Sequence, residues 1–189
     1  GLGKQAGKAP ESVGGAKRLA NVLTLLKKKV STVKLAKNEA IGVAVSAGQE
    51  KTMPAWMACA AHVHVEPDSK KITVKKLTMT VDAGVIVHPD GALAQVQGSM
   101  LWGTSMALHE QSPIENGQVS KVNLNTYSPL RMNDVPELDI EFVDSKEFPV
   151  GLGEPGVVSI APAIANAIFQ ITGVRVRDLP ITSEAIKNA

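Results

Sequence analysis

Aromatic residues are scarce in this sequence of 189 residues, where two tryptophans, one tyrosine and three phenylalanines make up 3%. Small and branched apolar residues must therefore fill the core, and backbones can approach one another closely. The formal net charge is only +2. A surface for single-stranded nucleic acid interleaves aromatic and basic side chains, so this composition argues against nucleic acid as a partner. The hydrophobic share of 44% and the charged share of 20% are ordinary for a globular chain.

Cysteine is limited to Cys59. A single cysteine excludes an internal disulfide and any iron–sulfur cluster held by cysteines of this chain alone. Electrons from a redox reaction must then leave through another group. Long apolar runs are also missing, since none reaches the roughly 18 residues of a membrane span. Residues 1–4 lack the apolar core of a secretory signal, and we expect a soluble chain without a membrane span.

Acidic residues are absent between Lys17 and Lys37, a stretch that holds seven basic residues. Four apolar residues recur there at helical spacing: Leu19, Val22, Leu23 and Leu26. They predict an amphipathic helix over about 16–29. A solvated helix face explains the lysines, and contact with an anionic partner is the alternative. Residues 1–16, rich in Gly, Lys, Ala and Ser, are predicted to form a flexible segment before one domain portion at 17–189.

The remaining patterns predict a mixed α+β fold, with sheets packed against helices that cover one side. Strands are expected over 40–48, 56–66, 72–81, 118–125 and 138–143. Helices are expected over about 92–107 and from about Pro162 to Thr172, where Gly173 suits a C-terminal cap. Gly98 and Gly103 inside the first of these helices favour a close approach of backbone or ligand.

A pair of histidines invites a metal interpretation. His62, His64 and Glu66 share one face of a predicted strand, whereas Cys59 faces the other way. Imidazoles are common zinc ligands, but without the cysteine an ordinary half-exposed strand explains the pattern better. Asp82, at a strand end before Gly84, is interpreted as a turn or cap residue rather than a catalyst.

The strongest candidate for a catalytic residue is Glu154, within the stretch Gly151-Leu152-Gly153-Glu154-Pro155-Gly156. The glycines permit a positive φ or a close approach to the backbone, and Pro155 disfavours a helical conformation at Glu154. A carboxylate enclosed by apolar groups has a raised pKa and can act as a general base. From the residues alone, this role and that of an exposed turn acid are equally supported. For Gln95 beside Gly98, structural packing is favoured over chemistry.

Several segments resemble one known family. Residues 151–156 (GLGEPG), 160–169 (IAPAIANAIF) and 172–181 (TGVRVRDLPI) look like the C-terminal signature of the molybdenum hydroxylases, the xanthine oxidase and aldehyde oxidase family. Four earlier segments resemble the same subunit in the same order: VDAG at 81–84, HPDG at 88–91, QVQG at 95–98 and YSPLRM at 127–132. Within the family, the resemblance is closest to the molybdopterin-binding large subunit of the isoquinoline 1-oxidoreductase and bacterial aldehyde dehydrogenase type.

The resemblance implies roles for individual residues. Glu154 matches the active-site glutamate, a base that accepts a proton while water-derived oxygen attacks an aldehyde or N-heteroaromatic substrate. Gln95 matches a glutamine that contacts the pterin, and Gly151, Gly153 and Gly98 are assigned to the cofactor surface. No protein residue ligates the metal, because the pterin dithiolene holds the molybdenum. The cofactor is expected in its cytosine dinucleotide form, with 2Fe–2S clusters on a partner subunit.

Two departures from the family pattern shape the expectation. His88 stands where asparagine is common, and the family's molybdenum subunit is several times longer. The chain is therefore expected to be a C-terminal portion whose site is completed by the remainder of the molybdenum subunit, inactive by itself, in a bacterial cytoplasm or periplasm. The alternative is a non-catalytic assembly or binding module that keeps the same scaffold.

Overall fold

The computed structural model describes residues 15–50 and 53–187. The first half contains helix α1 (Gly15–Val30), strands β1 (Glu39–Glu50), β2 (Met53–Val65) and β3 (Ile72–Asp82), and helix α2 (Pro89–Leu108). The second half contains strands β4 (Ile114–Glu115), β5 (Gln118–Val119) and β6 (Glu137–Phe142), and helices α3 (Ile160–Thr172) and α4 (Ser183–Lys187). Single 3-10 turns occur at Met132–Asp134 and Val157–Ser159. The segment predicted to be flexible, residues 1–16, lies outside the described part except for its last two residues, which begin α1.

The main sheet has four strands in the order β1-β2-β3-β6. Strands β1, β2 and β3 are joined antiparallel, whereas β6 lies parallel to β3. A parallel neighbour needs a long crossover, and here the connection contains α2. This crossover brings α2 and the segment after β6 to the same region of the molecule.

Helices cover both faces of the sheet. On one face, Ala58 and Ala60 of β2 pack against Val22 and Leu26 of α1. On the other face, the alternate residues of β2 join the core that contains α2 and α3. The mixed α+β class is thus confirmed, but the expectation of a single covered side was wrong. Strand β2 is apolar at nearly every position, so both of its faces need cover from water.

Cys59 belongs to the core on the α3 side and is completely buried. Burial disfavours the thiolate and raises the pKa of Cys59 to about 12. The thiol therefore behaves as a small apolar side chain at neutral pH.

Helix α2 begins at Pro89, three residues before the predicted start. His88 forms its N-terminal cap, because its Nδ1 accepts a hydrogen bond from the Gly91 N–H at 2.8 Å. Pro89 then occupies the first helical position, which tolerates the missing donor. Helix α3 ends at Thr172, and Gly173, with φ 77°, forms its C-terminal cap, as the sequence predicts.

The predicted strand at 118–125 is much shorter than expected. Only Gln118–Val119 is extended, paired with Ile114–Glu115 around the Asn116-Gly117 turn. Both short strands are exposed, so no buried apolar face extends the pairing. Among residues 15–50 and 53–187, no helix combines the length and apolar character needed to cross a membrane.

Scarce aromatics and frequent small residues do produce close backbone packing. Gly42 of β1 lies directly under α3, where an added β-carbon would overlap the Ala163 carbonyl oxygen and the Ala167 nitrogen. The helix therefore sits against the strand backbone itself. This contact fixes the helix that follows the glycine-rich stretch around Glu154.

Candidate active site

Glu154 lies in a tight turn at residues 153–156 that leads into the 3-10 turn Val157–Ser159. The Val157 N–H donates to the Glu154 carbonyl oxygen at 3.0 Å and closes the turn. The Glu154 side chain is exposed. Among residues 15–50 and 53–187, the expected apolar enclosure of the carboxylate is therefore absent. The backbone is held in place while the acid itself points to open space.

Residues on each side of Glu154 are held by close contacts. Gly153 faces α2, and a β-carbon added to it would stand 2.8 Å from Gln95 Oε1. Pro155 faces β1, where a β-carbon at Gly48 would stand 2.5 Å from the proline ring. Ser46 Oγ of the same strand donates to the Pro155 carbonyl oxygen at 3.1 Å. The turn is thus clamped between a helix and a strand.

Gly156 makes the second contact with α2. A β-carbon there would overlap Ser99 Oγ and stand 3.2 Å from Ser99 Cβ. Gly156 itself has φ −67°, an ordinary right-handed conformation. Among the residues described, positive-φ glycines are Gly84, Gly117 and Gly173. Of the two explanations offered for the glycines around Glu154, close approach is therefore the one observed at Gly153 and Gly156.

The contacts follow one face of α2. Gln95, Ser99 and Gly103 are spaced four residues apart, and helix geometry places such residues one above another. Gly153 lies at Gln95, Gly156 at Ser99, and Ile160 at Gly103, where an added β-carbon would stand 2.7 Å from Ile160 Cγ1. The segment 153–160 thus runs along α2. This arrangement brings Gln95 next to the turn that carries Glu154.

Gly98 also lies on α2, one turn after Gln95, and it is exposed. A β-carbon added to Gly98 would meet no atom within 4 Å. No packing within the described chain therefore explains a glycine at this helix position. Gly151 is likewise exposed and lies just before the turn.

A cleft of about 240 Å³ opens beside Gln95. Its wall is mainly apolar, with His88 and the Gln95 amide as the polar groups. The lining residues are Val85, Ile86, Val87, His88, Gly91, Ala92, Gln95, Pro149, Val150 and Leu152. The arrangement can receive a ligand that has an apolar body and a hydrogen-bonding edge.

The histidines and the aspartate that the sequence analysis considered each form hydrogen bonds with a partner of their own. His62 Nε2 lies 2.9 Å from Glu39 Oε2, and His64 Nε2 lies 3.4 Å from Glu66 Oε2. In the part of the chain that the structure describes, no three His, Cys, Asp or Glu side chains converge as metal ligands would. Asp82 receives a hydrogen bond from the Gly84 N–H, as a turn residue does, but its main partner is Arg18.

Sequence reasoning missed Ser46, Gly48 and Ser99, which hold the turn. Gly48 carried a usable signal, because a glycine inside a strand often marks a close backbone approach. Ser99 carried none, since a serine in a helix is unremarkable without knowledge of its neighbour.

Comparison with known protein families identifies the scaffold. Residues 13–136 match the family described as the molybdopterin cofactor-binding domain. The chain belongs to the molybdenum hydroxylase family. The matched region includes Gln95 and Gly98 and ends before Glu154.

Individual relatives of this molybdenum hydroxylase chain are much longer than the chain itself. It is 52% identical over 183 residues to the membrane-bound aldehyde dehydrogenase (pyrroloquinoline-quinone) of Gluconacetobacter polyoxogenes, covering 96% of the chain and 24% of that protein. It is 31% identical over 140 residues to isoquinoline 1-oxidoreductase subunit beta of Brevundimonas diminuta, covering 74% and 18% respectively. The chain thus spans about a quarter of these relatives or less.

The fold of the molybdenum hydroxylases is also found by structural comparison. The aldehyde oxidoreductase of Desulfovibrio gigas superposes with a TM-score of 0.64 at 27% identity, over 72% of this chain and 15% of that one. The family resemblance inferred from the sequence motifs is confirmed, and so is the mixed α+β architecture.

Proposed function

We propose that this chain forms one wall of the active site of a molybdenum-containing oxidoreductase that oxidises an aldehyde or an N-heteroaromatic compound with water-derived oxygen. The contact between Gly153 and Gln95 carries the proposal. It places a side-chain amide next to a rigid turn whose carboxylate is exposed. The names of the relatives, aldehyde dehydrogenase and isoquinoline 1-oxidoreductase, support the two substrate classes.

The residues present fit a pterin cofactor. The Gln95 amide offers both a donor and an acceptor, which matches the mixed edge of a pterin ring. Gly98 and Gly151 are exposed and leave room for a ligand to approach the backbone. When bound, the molybdenum–pterin group, which we assign to the cytosine dinucleotide form, would supply the oxygen atom and accept the electron pair. We assign Gln95, Gly98, Gly151 and Gly153 to its surface.

In this proposal, Glu154 is the general base. Its turn is clamped by α2 and β1, so the carboxylate has a defined position before substrate arrives. The side chain is exposed in this chain, and the remainder of the molybdenum subunit would exclude water from it. A carboxylate that is enclosed away from water accepts a proton more readily, which is the role we assign to Glu154.

Electrons would leave through a partner. Cys59 is the only cysteine and is buried in the core, so 2Fe–2S clusters would belong to a small subunit. The partners proposed are therefore the remainder of the molybdenum subunit, an iron–sulfur subunit and a small-molecule substrate.

A second candidate function is a non-catalytic assembly or binding module. The exposed Glu154 favours it, because an unenclosed turn acid needs no chemical task. The name of one relative includes pyrroloquinoline quinone, so a quinone is the redox group to test for besides molybdenum. Both groups can be measured in the complete purified protein: molybdenum supports the proposed enzyme, quinone without molybdenum indicates a different redox group, and the absence of both favours the module.

The decisive experiment replaces Glu154 by Gln in the full-length polypeptide, purified with its partners. We expect turnover with an artificial electron acceptor to fall by about 10²–10⁴-fold, because the proton acceptor is lost, while molybdenum content is unchanged. Glu115→Gln, at an exposed hairpin residue, is the matched control and should retain normal turnover. Near-normal turnover in Glu154→Gln would refute the assignment.

Gln95→Ala tests the cofactor surface separately. We expect a modest decrease in molybdenum content or turnover, because one hydrogen-bonding side chain at the cofactor is removed. Full retention of both quantities would remove Gln95 from the site.

A further inference from the structure

Gly156 packs so closely against Ser99 that no space remains for a side chain at residue 156. Ser99 is only 2% exposed, and its Oγ donates to the Val96 carbonyl oxygen at 2.8 Å. This hydrogen bond favours the present direction of the hydroxyl, and turning it away would cost the bond. A β-carbon at Gly156 would overlap this oxygen, so glycine is the residue that lets the turn lie flush against α2.

The turn is also held by contacts with β1. Pro155 lies against Gly48 of β1, and its carbonyl oxygen accepts a hydrogen bond from Ser46. The Pro155 ring occupies the space that a side chain at Gly48 would need. The position of residues 154–156 is therefore set by the sizes of the residues on both sides.

We propose that Ser99 and Gly156 are positioning residues, and that their contact sets where the Glu154 carboxylate lies relative to Gln95. The inference rests on the proposed function, in which Glu154 accepts a proton. Ser99 and Gly156 need not touch substrate or cofactor. They act through the backbone of the turn, because Gly153 at Gln95 and Gly156 at Ser99 are adjacent contacts on one helix face.

If the contact positions the turn by size, then enlarging residue 156 should be compensated by making residue 99 smaller. Gly156→Ala adds a β-carbon that pushes the turn away from α2, and a displacement of about 1 Å in a catalytic group can cost on the order of 10²-fold in rate. Ser99→Gly removes both atoms that the new β-carbon would meet. The next neighbour, Met79 Sδ at 3.6 Å, is at ordinary contact distance. The double variant therefore has room for the turn at its original position.

The test compares four forms of the full-length polypeptide with its partners: wild type, Gly156→Ala, Ser99→Gly and the double variant. The readout is kcat per bound molybdenum, together with KM and the pH dependence of kcat. We expect Gly156→Ala to lower kcat by about 10–100-fold with little change in molybdenum content. Ser99→Gly removes the contact from the other side and should itself lower kcat several-fold, and the double variant should recover most of the loss seen in Gly156→Ala.

Ser99→Ala combined with Gly156→Ala gives an intermediate case. It removes the overlapping oxygen but leaves the Ser99 β-carbon at 3.2 Å, so recovery should be partial. A graded order, with alanine at position 99 between serine and glycine, supports positioning by size. The thermal unfolding of each variant shows whether a fall in kcat reflects lost fold instead.

Two results would overturn the inference: a kcat per molybdenum in Gly156→Ala equal to wild type, or a double variant no better than Gly156→Ala. Both are distinguishable from failure of the proposed function. If Glu154→Gln retains turnover, the base assignment fails. If Glu154→Gln abolishes turnover but the size exchange has no effect, only the positioning role fails.

Discussion

Arg18 and Asp82, 64 residues apart, form a nearly buried two-pronged ion pair. Arg18 Nε donates to Asp82 Oδ2 at 2.8 Å, and Nη2 donates to Oδ1 at 2.6 Å. The two side chains are 11% and 4% exposed. Burial alone would raise the pKa of Asp82, but the hydrogen bonds from Arg18 and from the Gly84 N–H outweigh it and lower that pKa. The pair fastens α1 to the end of β3.

This end of β3 supports the approach to the candidate active site. Directly after Asp82, the Ala83 carbonyl oxygen accepts from the Val150 N–H at 3.1 Å, and the Val85 N–H donates to the Glu147 carbonyl oxygen at 3.0 Å. Residues 147–150 then lead into the turn that carries Glu154. The ion pair thus stabilises a strand end on which the site depends.

Replacing Arg18 by Met should destabilise the 189-residue chain strongly, because Asp82 would remain buried without its partner. Breaking a buried pair in this way costs about 3–5 kcal/mol in the free energy of unfolding. Denaturant unfolding followed by circular dichroism measures the change.

Arg18→Met/Asp82→Asn is the matched control for that prediction, since it also removes the Asp82 charge that Arg18→Met leaves without a partner. We expect it to be more stable than Arg18→Met alone, with a clear coupling between the two sites. An Arg18→Met chain as stable as wild type would show that the pair contributes little.

Local patterns were enough to predict the longer helices and strands of this fold, but not the short helix α4 or the end of the strand expected over 118–125. Leu19, Val22 and Leu26 recur at helical spacing, and α1 appears within one residue of the predicted bounds at each end. The extended segments of β1, β2 and β3 were found in the same way. Each of these signals lies within a short window of sequence, where spacing alone decides which side chains share a face.

Contacts between distant segments could not be predicted in this way. Neither the Arg18–Asp82 pair nor the Ser99–Gly156 contact leaves a mark within any short window. The second covered face of the sheet was missed although the apolar residues of β2 were visible in the sequence. Strand β2 shows apolar residues on both sides, but only the three-dimensional structure shows that α1 returns to cover one of them.

The prediction that apolar groups enclose the Glu154 carboxylate was wrong for a different physical reason. A glycine-rich stretch predicts a rigid turn, and the turn is present. Whether apolar groups surround its carboxylate depends on residues that pack over it, and in the described chain none do. The motif therefore predicts the position of the backbone but not the environment of the side chain.

Glu39 should make the stability of the chain depend on acid. Its carboxylate accepts hydrogen bonds from Lys75 Nζ at 2.5 Å and from the Ala36 N–H at 3.0 Å, and it lies 2.9 Å from His62 Nε2. Lys75, the Ala36 N–H and His62 lower its pKa from 4.5 to about 2. Since the folded chain favours the ionised form, this stabilisation is complete above about pH 5 and is lost as the pH falls toward 2.

Comparing wild type with Glu39→Gln between pH 2 and pH 6 isolates this contribution. We expect the variant to be less stable at pH 6, and the difference in the free energy of unfolding to shrink as the pH falls through 4 toward 2. Glu115→Gln, on the exposed β4–β5 hairpin, provides a matched control without a comparable effect. A difference that stays constant with pH would contradict the role of the Glu39 charge.

Gly98→Ala should separate stability from cofactor binding. An alanine in place of glycine inside a helix stabilises a chain by about 0.5–1 kcal/mol, and the added β-carbon meets no atom within 4 Å. The unfolding temperature of the 189-residue chain should therefore rise. In the full-length polypeptide, the same methyl group occupies space that we assign to the pterin, so molybdenum content should fall several-fold. Because the fold becomes more stable, such a fall cannot be attributed to misfolding. Raised stability together with full molybdenum content would show that Gly98 lies outside the cofactor surface, and would leave its exposed position on α2 without a functional explanation.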